Sequence, residues 1–88
     1  MHAVVVNLII NEPEADLRAV RDRVVPLVSQ APGFVTGYWT RRSNAGLSMI
    51  VFDSEDAANA AAEQLRSTLS DPVATLENMD VREVVAHA

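Results

Sequence analysis

From Ala3 to Ile10 the chain reads AVVVNLII, with apolar residues in both phases of an extended segment: Val4, Val6, Leu8 and Ile10 in one, Val5 and Ile9 in the other. A strand with one face in water alternates polar and apolar residues, so this one calls for cover on both sides. The segment Leu47 to Phe52 repeats the demand, with Leu47, Met49 and Val51 set against Ile50 and Phe52. Eighty-eight residues make one domain with little material to cover two faces of a sheet. What lies around these strands decides which face the chain covers by itself.

Two helices are available. Asn11 to Asp16 supplies capping and acidic residues with Pro13 in a first turn, and Leu17, Val20, Val24, Leu27 and Val28 then recur at helical spacing. Pro26 falls inside this helix and removes one backbone bond, which predicts a kink near Asp22. Pro32-Gly33 ends it, with Gly33 suited to a positive φ. The second helix starts at Ser54 as cap, with Glu55 and Asp56 where the helix dipole favours acids. Ala58, Ala61, Ala62, Leu65 and Leu69 form its apolar face, and the alanines let its axis lie close to a sheet.

Phe34 to Arg42 reads as the second strand, Ser43-Asn44-Ala45-Gly46 as a four-residue hairpin loop, and Leu47 to Phe52 as the third strand. Pro72 breaks the chain, and Met79 to Ala86 reads as the fourth strand. The order βαββαβ, with right-handed crossovers, gives an α+β, ferredoxin-like fold spanning residues 1–88 as a single domain. Its four-stranded antiparallel sheet has the order 4-1-3-2, with both helices on one face. The other face is then bare and apolar, more so than monomers usually tolerate. A second copy of the chain is the simplest cover, so a homodimer is expected.

Composition narrows the functional classes. Twelve acidic residues against seven basic ones give a net charge of -5, a poor match for a phosphate backbone, so nucleic acid is not an expected partner. The apolar run at the N-terminus is eight residues long, has no basic residue before it and is followed by acids. That is too short to span a membrane and wrong for a signal peptide, so the expectation is a soluble cytoplasmic protein without membrane association. The chain has no cysteine, no glycine-rich phosphate loop and no Ser-His-Asp set. His2 and His87 fall at the chain ends, where two imidazoles without a third ligand make a weak metal site. No metal and no cofactor are expected.

The run "SQAPGF" into strand two, and "LSMIVFDSEDAANAAAEQL" through strand three and helix two, resemble the dimeric α/β barrel superfamily, nearest its antibiotic-biosynthesis-monooxygenase-like group. The resemblance implies a homodimer whose two sheets face each other, and a pocket between each sheet and its helices. Members include cofactor-free monooxygenases acting on quinol-like substrates, haem-degrading enzymes, and small proteins without assigned activity. Haem-degrading relatives carry a histidine on or near helix two and a tryptophan nearby. Here that region reads DSEDAANAAAEQLRS, with Phe52 near where the tryptophan would sit, and haem is not expected.

Five residues are candidates for a site. Asn7 is an amide in an apolar strand; it is either a structural amide or, as the resemblance implies for the oxygenases, a group that holds a substrate oxygen. Trp39 follows Gly37 on one face of strand two, with Val35 and Arg41, while Phe34, Thr36, Tyr38 and Thr40 share the other. The vacancy at Gly37 either relieves packing or leaves Trp39 as a pocket wall. Tyr38, Phe52 and Arg41 complete the ligand-binding candidates. Two readings stay open: a non-catalytic binding or assembly module for a small apolar or aromatic ligand, and a cofactor-independent monooxygenase acting on a phenolic or quinol-like substrate.

Overall fold

The computed structural model describes residues 1–69 and 72–88. Four strands, β1 (His2–Ile10), β2 (Phe34–Arg42), β3 (Ala45–Phe52) and β4 (Ala74–Glu83), form one sheet in the order β2-β3-β1-β4. Every neighbouring pair is antiparallel. The first helix is built in three pieces, α1 (Pro13–Ala19), a π-helical segment (Val20–Val24) and α2 (Val25–Ser29); the second is α3 (Glu55–Thr68). This is the ferredoxin-like α+β arrangement that the element order predicts.

Burial settles which phase of each strand meets the helices. Val4, Val6, Leu8 and Ile10 of β1 and Ile50 and Phe52 of β3 are buried with Val24, Val28, Ala58, Ala61, Ala62 and Leu65 of the helices. Val5, Asn7 and Ile9, with Leu47, Met49 and Val51, lie on the opposite, uncovered face. Helix α3 seats closely because alanine occupies three of its four buried positions. Ser54 caps it, its hydroxyl accepting from the Ala57 N–H at 3.1 Å.

The first helix continues past Pro26, and its deviation falls where the proline requires one. Val25 N–H bonds to the Val20 carbonyl, five residues back, and the wide π turn includes Asp22. Gly33 takes φ +81, and its carbonyl accepts from Asp53 N–H at 2.8 Å. A Cβ at Gly33 would stand 2.8 Å from Ala57 Cβ and closer still to the Asp53 carboxylate, so φ and space both demand glycine.

Three boundaries depart from the sequence reading, and each has a physical cause. The hairpin turn is two residues, Ser43-Asn44, with Ser43 at φ 53; Ala45 and Gly46 already belong to β3. Gly46 is a buried strand residue opposite Leu8 and Arg41, and serves no turn. Strand β4 begins at Ala74, five residues before the expected Met79, because a bulge resets its alternation. Asn7 pairs with Asn78 but Leu8 with Leu76, so Glu77 is extra, and Leu76 and Met79 both point inward across it. At its far end β4 stops at Glu83, opposite His2, with one further bond from the Val84 N–H to the Met1 carbonyl at 2.9 Å before the N-terminal segment runs out. A second bulge makes Val35 the extra residue in β2, since Phe34 pairs with Phe52 and Thr36 with Val51. Phe34 is thereby turned to the helix side, contrary to the simple alternation. Its ring meets Phe52 edge to face, with centroids 6.2 Å apart.

Candidate functional site

Helix α1 has no buried residue, whereas α3 has four. The start of the first helix therefore stands off the sheet, and a cavity remains beneath it. Its floor is Val6 and Leu8 of β1 with Ser48 and Ile50 of β3; Asp16, Val20 and Arg23 roof it, and Leu65 and Leu69 close one side. Its volume is about 40 Å³, enough for a few water molecules. A second cavity of about 100 Å³ lies toward the hairpin end and shares Leu8, Asp16, Val20, Trp39 and Ser48 with the first.

Trp39 belongs to both walls, and its placement answers the question that Gly37 poses. A Cβ at Gly37 would stand 2.8 Å from Cη2 and 2.9 Å from Cζ3 of Trp39. The vacancy is thus filled by the indole of the same strand, folded back over the glycine. No hydrogen bond holds the Trp39 indole N–H among the described residues, so packing alone seats the ring. Arg41 borders the second cavity, where its Nη1 donates to the Pro13 carbonyl at 3.2 Å and ties the start of α1 to β2.

The remaining candidates do not meet there. Phe52 is fully buried against Phe34 and belongs to the core. Tyr38 is on the uncovered face and 67% exposed. Asn7 shares that face, between Leu47 and Asn78, and no hydrogen bond engages its side chain among the described residues. The Asn78 amide donates to Asp80 at 3.4 Å, and Arg82 donates to the same carboxylate oxygen at 3.1 Å. The Arg82 bond, then that of Asn78, holds the exposed Asp80 carboxyl below its ordinary pKa. His2 faces Glu55, Nε2 to Oε2 at 3.7 Å, while its Nδ1 is buried without a hydrogen bond. His87 lies beyond the end of β4. Among the described residues no group of three metal-ligating side chains occurs, and no helix is long and apolar enough to cross a membrane.

Sequence reasoning missed Ser48. It is the buried polar residue of the described chain, 7% exposed, and it lines both cavities. Its signal was a lone hydroxyl in an otherwise apolar strand, which gains meaning once Ile50 and Phe52 are known to mark the inward phase.

No family model matches the sequence, and no curated protein matches it. Among solved structures the chain is similar to a monooxygenase from the gene ActVA-Orf6 of Streptomyces coelicolor, crystallised in complex with Nanaomycin D. The match has a TM-score of 0.63 and 16% identity, and covers 99% of this chain and 92% of that one. At that identity the likeness is one of fold.

Proposed function

We propose that the protein is a homodimer that binds a small, largely apolar ligand between its sheet and the first helix. The observation that carries the ligand reading is the pair of cavities that share Trp39, lined mostly by apolar side chains with Ser48, Thr40, Thr68, Asp16, Arg23 and Arg41 among them. It arises because α1 contributes no buried side chain, so no described side chain fills the space. The sheet itself supports the dimer. Leu47 and Met49 are each 46% exposed beside Val5, Ile9 and Val51, in a row that water would cover at a cost. The chain exposes 5495 Å², against roughly 5,000 Å² for a monomer of its 9.5 kDa mass. A standard interface would cover about 800 Å² of each copy.

Sedimentation equilibrium at micromolar concentration tests the assembly. It should report twice the chain mass, and Met49→Arg should return it to one. A folded wild-type monomer would refute the dimer.

A second reading has its own support in the fold shared with a monooxygenase solved with a ligand bound. On this reading a phenolic or anthrone-like substrate is deprotonated and reduces dioxygen itself. A methylene becomes a carbonyl, one oxygen atom enters the product and the other leaves as water. Asn7 would not serve such chemistry in the sheet–helix cavity, since it lies across the sheet from it. Oxygen uptake on a panel of hydroquinones and anthrones distinguishes the two readings. Uptake by the wild type that survives Asn7→Ala supports an oxygenase working in the cavity. Uptake lost in a stable Asn7→Ala variant would move the chemistry to the uncovered face, and no uptake leaves the binding protein.

A further inference from the structure

Ser48 occupies a position where the fold calls for an apolar side chain. It sits in the inward phase of β3, two residues from Ile50 and opposite Trp39 and Val6 in the neighbouring strands. At 7% exposure the residue is held out of bulk water, and its hydroxyl, which no hydrogen bond engages among the described residues, stays reachable only from the cavities. A hydroxyl that bonds no protein group takes its partner from whatever reaches it. Here the hydroxyl borders both cavities, so the space next to it is where that partner belongs.

The partner's size follows from Trp39. Neither cavity, at about 40 and about 100 Å³, matches the roughly 150 Å³ that admits a benzene-sized molecule. Together they approach it. The indole is the largest of the side chains that the two cavities share. It packs over Gly37, where there is no side chain to lock it, and its N–H makes no hydrogen bond among the described residues, so turning it aside breaks none. The walls beyond it are the aliphatic side chains of Leu8, Val20 and Ile50, which suit a flat ring.

Resting on the ligand-binding reading, we infer that Ser48 anchors an aromatic ring bearing a hydroxyl or carbonyl group, and that the Trp39 indole turns aside to admit it. The ring lies against aliphatic walls, and its oxygen exchanges a hydrogen bond with Ser48 Oγ. Ligands of this class without the oxygen fit the same space and lose that bond.

The test uses phenol and benzene as probes on wild type and Ser48→Ala, with affinity from calorimetry. Trp39 is the chain's single tryptophan, so indole emission excited at the red edge of its band reports on it alone. Both probes should shift the emission of the wild type. Ser48→Ala should weaken phenol about threefold to tenfold, the worth of one neutral hydrogen bond, and leave benzene unchanged. Its melting temperature should stay near that of the wild type, since the hydroxyl bonds no described protein group. Binding of both probes with no dependence on Ser48, or a clear loss of stability in Ser48→Ala, would overturn the anchor while the ligand pocket stood. Calorimetric binding with unchanged indole emission would overturn the movement of Trp39. Failure of both probes to bind would overturn the inference and the pocket reading together.

Discussion

Gly37→Val is the sharpest probe of how strand two is packed. Carbon atoms in favourable contact lie about 3.5–4.0 Å apart. The first atom of a new side chain would come within 2.8 Å of Trp39 Cη2 and 2.9 Å of Cζ3, well inside that range, and valine adds two methyl groups beyond it. The backbone at Gly37 has no positive φ, so the cost is steric and does not come from backbone strain. Overpacking of this kind costs about 1–3 kcal/mol, at the lower end if the indole swings clear. For a domain of this size that is a fall in melting temperature on the order of 5–20 °C. Thermal unfolding followed by far-ultraviolet circular dichroism measures it, and the Trp39→Ala background supplies the control. With the indole gone, valine should be neutral or slightly stabilising, as its preference for strands allows. The coupling between the two sites should then equal nearly the whole cost of the single change. An equal cost in both backgrounds would refute the assignment of the Gly37 space to the Trp39 ring. A neutral Gly37→Val in the wild type would show that packed groups make no use of that space.

Gly33→Ala should cost more than a usual glycine replacement, about 2–4 kcal/mol, because it meets both a φ of +81 and the Asp53 and Ala57 side chains; a melting temperature within error of the wild type would refute this. Leu65→Ala, at a site 1% exposed on the inner face of α3, should lose about 2–5 kcal/mol in urea unfolding, and a loss below about 1 kcal/mol would mean the core collapses around it. The lowered pKa of Asp80 makes its interaction with Arg82 and Asn78 favourable above the ordinary carboxylate pKa, and that contribution fades as pH falls through the lowered value. Arg82→Ala should therefore raise the Asp80 titration midpoint seen by carboxyl NMR, and an unmoved midpoint would refute the pairing.

The sequence by itself determined the elements whose signals are local. Proline at a helix start, Ser54 before Glu55 and Asp56, the positive φ of Gly33 and the 3.6-residue period of α3 each depend on a few neighbouring residues, and all are found in the structure. Element order then fixed the sheet as β2-β3-β1-β4, because crossover handedness leaves few alternatives. Where a strand alternates without interruption, as β1 does, its two phases were also legible, though not which of them meets the helices. The bulges at Val35 and Glu77 were not, since one extra residue reverses the face of everything beyond it and leaves no compositional trace. The same limit hid the candidate site. Ser48 and Asn7 look alike in the sequence, each a lone polar residue in an apolar strand, yet Ser48 faces the helices and Asn7 the uncovered side. Only the placement of the helices separates them. The cavity itself comes from the distance at which α1 stands from the sheet, a balance of packing across three strands and two helices that no short stretch of residues encodes.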